Sequence, residues 1–178
     1  MTAKEVIEGR RSIRKFKDTP VPHEVLEAIV DEAKMAPSWK NTQIARYIVA
    51  EGDTVKKLAE CTKAYSGNGT VIAGAPAVVG LAVKKGRCGY ERDGSFTTFR
   101  GDGWQMFDAG VAAQTFCLAA YEHGIGSVIM GIFDHEDASR VLNIPEDMDL
   151  VSLIPIGYPD GEAIAPKRKT VEELLSYV

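Results

Sequence analysis

Between Pro22 and Pro37 the apolar residues Val25, Leu26, Ile29, Val30 and Ala33 recur at three- and four-residue spacing, which predicts an amphipathic helix with Pro22 in its first turn. Pro37 disfavours helical backbone at Ala36 and closes the helix there. A short strand is expected over residues 44–50, followed by a helix that Asp53 caps and that reaches about Lys63. Residues 77–83 form a short, unbroken apolar run, the pattern of a strand covered on both faces. Residues 104–123 carry apolar or small side chains on nearly every side and no proline. That run predicts a long helix in the core or in a subunit interface, stopped by Gly124. Strands are expected over 127–132 and 150–156, with a short helix over 136–142 between them. Residues 84–103 hold five glycines and no periodicity, which reads as a long loop of the lid type. The last sixteen residues, 163–178, turn from polar to apolar at Val171, Leu174, Leu175 and Val178. A tail with that pattern needs a surface to dock on, and a second subunit supplies one.

Alternating helices and strands without repeats or a low-complexity linker give one three-layer α/β or α+β domain over residues 1–178. A chain of 19.3 kDa buries about 70% of its unfolded surface, so the core needs no disulfide or metal to hold it. With 25 acids against 21 bases, the net charge of -4 argues against bulk electrostatic binding to nucleic acid or an anionic membrane. Cys61, Cys88 and Cys117 are isolated in sequence, which points away from a metal site and toward a reducing cytoplasm. Residues 1–14 lack the continuous apolar stretch of a secretory signal, and the apolar run at 71–83 is too short to span a bilayer.

Charge is unevenly distributed. Residues 10–17, Arg-Arg-Ser-Ile-Arg-Lys-Phe-Lys, hold five of the 21 cations and no acid, and Lys167, Arg168 and Lys169 form a second island. Two readings stand: the islands converge on a phosphate, with Arg10, Arg11 and Arg14 offering forked donors and Ser12 a hydroxyl, or they are solvated faces. The stretch Ala36-Pro37-Ser38-Trp39-Lys40-Asn41-Thr42-Gln43 has amides able to pair with a planar heterocycle, and is equally a polar turn. Tyr65-Ser66-Gly67-Asn68-Gly69 allows close backbone approach to a ligand, or makes a glycine turn. Gly67-Asn68-Gly69 and Gly124-Ile125-Gly126 both lack the third glycine of a dinucleotide fingerprint. No Walker A sequence or nucleophile elbow is present. His23, His123 and His135 stand apart from one another, so they read as surface or capping residues, with no metal site among them.

Taken in order, these segments resemble the nitroreductase family of FMN-dependent oxidoreductases. Residues 10–16 are similar to its R-R-S-x-R-x-F motif, and Ala36-Pro37-Ser38 through Asn41 and Gln43 to its A-P-S-x-x-N-x-Q motif. Asn68 matches its flavin-ring asparagine. Gly124-Ile125-Gly126-Ser127 with Met130-Gly131 resembles its G-L-G-S segment, and Gly157-Tyr158-Pro159 with Lys167, Arg168 and Lys169 its C-terminal motif. Trp39 and Lys40 stand where members carry small residues, and residues 84–103 replace a variable lid. The resemblance implies an α+β fold with a mixed central sheet flanked by helices. It also implies a homodimer with FMN in the interface and the C-terminal tail docked on the partner. Its activity would be a ping-pong cycle in which NADH or NADPH transiently reduces FMN and a nitroaromatic, quinone or related small acceptor is reduced in turn. By position, Arg10, Ser12 and Arg168, with Lys167 or Lys169, would hold the phosphate, and Arg11 would stand among the cofactor-binding residues. Arg14 and Asn68 would face the pyrimidine edge, where Arg14 is the candidate for stabilising negative charge. Pro37, Ser38, Trp39 and Asn41 would come from the partner, and the backbone of Met130 and Gly131 would lie by N5. The rival reading is a flavin- or nucleotide-phosphate-binding module without turnover.

Overall fold

A computed structural model describes residues 1–62 and 67–178 of the chain. Lys63 of the expected helix end, and Tyr65 and Ser66 of the glycine-containing stretch, lie outside the described residues. In chain order the elements are α1 (Ala3–Gly9), α2 (His23–Ala33), a single 3-10 turn (Trp39–Asn41), β1 (Ala45–Glu51), α3 (Asp53–Glu60), α4 (Asn68–Ala73) and β2 (Ala77–Lys84). There follow α5 (Gly103–Glu122), β3 (Gly126–Ser127), α6 (His135–Val141), β4 (Met148–Gly157) and α7 (Val171–Leu174).

The four strands lie in the order β1-β2-β4-β3 and pair antiparallel throughout. The mixed character expected of the sheet is confined to one parallel bridge, between Ser12 and Ser127. Alternate residues of β2 serve two cores. Ala77, Val79, Leu81 and Val83 pack with Ile29 of α2 and Phe116 of α5, while Val78 packs with Leu58 of α3 and Ile72 of α4. Helices on both faces explain why the strand is unbrokenly apolar from Ala77 to Val83 even though its neighbours run antiparallel. In α5 the small residues Ala109, Ala112, Ala113 and Ala120 are buried and let the helix lie close to the sheet, with Phe116 stacked on Tyr47 at 5.3 Å.

Several boundaries move for identifiable reasons. Helix α2 ends at Ala33, and its last turn tightens into bonds from Met35 N–H to Glu32 and from Ala36 N–H to Ala33, the three-residue spacing common at helix ends. Asp53 is the first residue of α3 rather than its cap, because Gly52 occupies the cap at φ +57 and the Asp53 carboxylate instead pairs with Lys56 at 2.8 Å. The strand expected over 127–132 shrinks to β3 and a bridge at Met130. Val128 donates to Pro155 at 3.3 Å, but proline has no N–H to return, and pairing resumes only at Met130 and Leu153. Helix α1 went unread in the hydrophobic pattern, although Thr2 and Glu5 form a reciprocal capping box that is a legible start signal. In the tail, α7 buries no residue, and Val171, Leu174 and Tyr177 are exposed. Among the described residues no helix is long and apolar enough to cross a membrane.

Candidate functional site

The chain leaves α1 at Arg10 and runs along one end of the sheet. Ile13 N–H donates to the Ser127 carbonyl at 3.0 Å, Lys17 N–H to Tyr158 at 2.9 Å, and Asp160 N–H to Lys15 at 3.0 Å. Two glycines permit this seam. A Cβ on Gly126 would lie 2.8 Å from the Cβ of Ile13, and one on Gly157 would lie 2.6 Å from the Pro76 ring and 3.1 Å from Phe16. The arginine-rich segment, the segment 124–127 and the segment 157–159, which are far apart in sequence, therefore form one edge.

Two adjoining cavities open on that edge. One of about 510 Å³ is lined by Arg10, Arg11, Tyr121, Ser127 and Glu162 among others. The other, of about 390 Å³, is lined by Ser12, Arg14, Lys15 and Asp160, and both reach Ile13, Gly161 and Ala163. Lys15 is neutralised by Asp160 at 2.7 Å. Arg11 is committed to the end of α1, donating to the carbonyls of Glu8 at 2.5 Å and Arg10 at 2.9 Å. Among the described residues Arg10, Arg14, Lys167, Arg168 and Lys169 have no carboxylate at ion-pair distance, whereas Lys34, Lys40, Lys56, Lys84 and Arg140 each have one. Lys167, Arg168 and Lys169 are exposed in the tail and line neither cavity. Burial pushes the Cys117 thiol up, while its hydrogen bond with Ser127 and the Arg10 charge act in the opposite direction.

Asn68 opens α4 and donates its amide to the Ile132 carbonyl at 3.0 Å, leaving its own carbonyl oxygen to accept. The bond brings Asn68 beside the Met130-Gly131 step. Met130 is buried in the second core, and its N–H and carbonyl both pair with Leu153, at 2.9 and 3.0 Å. Gly131 is exposed, so of the two it is the one open to a ligand.

The second polar cluster stands elsewhere. Ser38 Oγ accepts from Gln43 N–H at 3.0 Å, and Lys40, Asn41 and Gln43 are held at φ +43, +56 and +49, a region that L residues rarely occupy. Trp39 is half-buried against the core and lies over Trp104 with centroids 4.5 Å apart. Pro37 and Ser38 line a cavity of about 390 Å³ with Val30, Tyr47, Val49 and Ala112, and none of Arg10, Ser12 and Arg14 reaches it. Within one chain, the two clusters are thus separate. Asp108, which the sequence reading passed over, anchors the second: its carboxylate accepts from Trp39 N–H at 3.1 and 3.0 Å and from the Cys88 thiol at 3.1 Å. The signal was that Asp108 is the single charged residue between Gly103 and Tyr121.

Residues 84–103 fold over this cluster, with Trp104 Nε1 donating to Thr98 at 2.8 Å and Glu91 pairing with Lys40 at 2.9 Å. The hydrogen bond from Lys40 holds the Glu91 carboxyl below its ordinary value of 4.5. A lowered carboxyl pKa adds stability that is present above the ordinary value and is lost as pH falls through the folded one. Amide exchange in residues 89–97 is therefore expected to accelerate on acidification from about pH 6 to about pH 3, after correction for intrinsic rates, and to lose the larger part of that extra pH dependence in Lys40→Met, which leaves the smaller contribution of Thr97. Equal profiles for the two proteins would show that the pair does not hold the loop.

The fold and sequence match a known group. The Nitroreductase family profile covers residues 7–65 and 63–158. A Methanothermobacter thermautotrophicus protein whose name carries both NADH dehydrogenase and NAD(P)H nitroreductase is 30% identical over 163 residues, covering 89% of this chain and 78% of the relative. An FMN-dependent nitroreductase of Clostridium difficile superposes with a TM-score of 0.79 at 26% identity, over 98% of each chain. A nitroreductase-type protein of Desulfovibrio desulfuricans, solved with FMN, superposes with a TM-score of 0.77 at 25% identity, over 97% of this chain and 94% of its own. With both the seam of motifs and a profile that spans most of the sequence, the chain belongs to the nitroreductase family.

Proposed function

We propose that this chain binds FMN as a homodimer and works as an NAD(P)H oxidoreductase on nitroaromatics, quinones or related small acceptors. The observation that carries the reading is the edge on which Arg10 lines one cavity and Arg14 and the exposed Ser12 line the adjoining one, beside Gly126 and Ser127, with no carboxylate at ion-pair distance from either arginine among the described residues. Unpaired arginines in an acidic chain fit a phosphate, which accepts forked, charge-assisted hydrogen bonds. The free carbonyl oxygen of Asn68 fits the ring N–H of a flavin pyrimidine edge.

Arg10 and Ser12 would grip the phosphate, joined by Lys167, Arg168 or Lys169 when the tail folds over. Arg14 would stand at the pyrimidine edge and favour negative charge developing there. Pro37 and Ser38 line a different cavity of the same chain, and Trp39 and Asn41 belong to the 3-10 turn that follows them, so a second copy is what would bring these four to the flavin. The exposed apolar residues Val171, Leu174 and Tyr177 would find cover on that copy. Bound FMN would supply hydride acceptance from NAD(P)H and electron transfer to the acceptor. The three free, buried cysteines suit a cytoplasmic location.

Purified protein should be yellow, with absorbance near about 450 nm, should release FMN rather than FAD on denaturation, and should sediment at about twice the chain mass. NADH or NADPH should bleach it, and a quinone should restore the colour. A colourless monomer that takes up no FMN would refute the reading. A flavoprotein that neither reductant bleaches would be a binding module.

A further inference from the structure

Asp108 is 5% exposed on α5, and no cation contacts it among the described residues. A carboxylate in such a place is tolerated only when hydrogen bonds replace its lost hydration. Here the bonds come from two loops. Trp39 N–H lies 3.1 and 3.0 Å from the two carboxylate oxygens, and the Cys88 thiol donates to one of them at 3.1 Å. Burial and the neighbouring carboxylate push Cys88 up to about 12, so it remains a thiol and a donor. Trp39 opens the turn whose residues Lys40, Asn41 and Gln43 sit at positive φ, backbone that persists only where the surroundings over-determine it. Cys88 stands at the entry to the loop 84–103.

We propose that Asp108 is a positioning residue: its buried carboxylate ties the 38–43 loop to the 84–103 loop, so that the flavin-contact loop and the lid hold one shape and shift together. The flavin half of this statement rests on the function proposed above. The tie itself does not. The Lys40–Glu91 pair joins the same two loops, but it is solvent-exposed and by itself contributes little. Asparagine at 108 would turn one acceptor oxygen into a donor aimed at another donor, so the isosteric change tests the carboxylate rather than the packing.

Amide exchange on the full wild-type chain should show Trp39 protected to the level of β2 amides, although it lies in a loop. In Asp108→Asn the Trp39 amide and residues 87–98 should exchange about tenfold faster or more, a factor equivalent to about 1.4 kcal/mol, with β2 and β4 unchanged. Cys88→Ala should free the 87–98 segment and leave Trp39 protected. FMN titration of Asp108→Asn should give a Kd about tenfold higher, and Asp108→Glu, which restores the charge, should recover part of the loss. An unprotected Trp39 amide in wild type overturns the proposal without any variant, as does Asp108→Asn exchange that rises equally in the strands. Wild type that takes up no FMN overturns the flavin reading, and Trp39 protection still decides the tie.

Discussion

Replacing Arg10 by alanine is expected to weaken FMN binding by about 1.5–3 kcal/mol, roughly ten- to a hundred-and-fifty-fold in Kd, the usual range for a hydrogen bond to a charged group. Arg10 is the arginine at the junction of α1 and the seam, it lines the larger cavity, and among the described residues no carboxylate stands at ion-pair distance from it. Its neighbours provide the controls. Arg11 spends its guanidinium on the carbonyls of Glu8 and Arg10, so Arg11→Ala should lower stability more than FMN affinity. Lys17 is exposed beyond the bridge at Phe16, and Lys17→Ala should change Kd by less than about threefold. Calorimetric titration of the apoprotein measures all three. Equal small losses at each position would return the basic segment to a solvated face.

Gly126→Ala is expected to damage fold and site together. The added methyl would sit 2.7 Å from Ile13 Cγ1 and 2.8 Å from its Cβ. The Cβ belongs to the main trunk of the neighbour and cannot swing aside as the tip of a long side chain would. The segment carrying Ser12 and Arg14 must then lift from β3, straining the 3.0 Å bond from Ile13 to Ser127. Overpacking of this kind costs about 1–3 kcal/mol, which in a chain of this size lowers Tm by about 2–4 °C for each kcal/mol, and FMN affinity should fall with it. Ile13→Ala alone removes packing. In the double variant the close approaches to Cγ1 and Cγ2, at 2.7 and 3.0 Å, are gone and only the one to Cβ remains, so the two losses should fall short of additivity by about 0.5 kcal/mol or more. Additive losses in chemical denaturation would show that the contact does not set the seam.

Much of the element order was legible because local patterns carried it. The three- and four-residue spacing at 25–33, the unbroken apolar run of β2 and the glycine after α5 each state a burial face or a stop within one window of sequence. The phosphate-type segment was legible as charge concentration, since five cations without an acid in an acidic chain stand out before any folding is known. Arg11 was not separable from Arg10 by that argument, because residue type cannot show that one guanidinium turns back onto the end of α1.

The sequence by itself determined the order of the main elements, α2, β1, α3, β2, α5 and β4, and the apolar faces of α2 and β2, and that two basic islands and two amide-bearing loops exist. Tertiary structure decided how these meet. The order β1-β2-β4-β3, the docking of residues 12–16 on β3 and on the segment after β4, and the break of β3 opposite Pro155 depend on partners more than a hundred residues away, or on a missing N–H in another strand. Asp108 shows the reason most directly. Its helix is apolar or small almost throughout, and one acid there is as compatible with solvent as with the core. Only the fold brings the Trp39 N–H, 69 residues earlier, and the Cys88 thiol, 20 residues earlier, to the same carboxylate. Those donors replace its lost hydration, and that makes burial affordable.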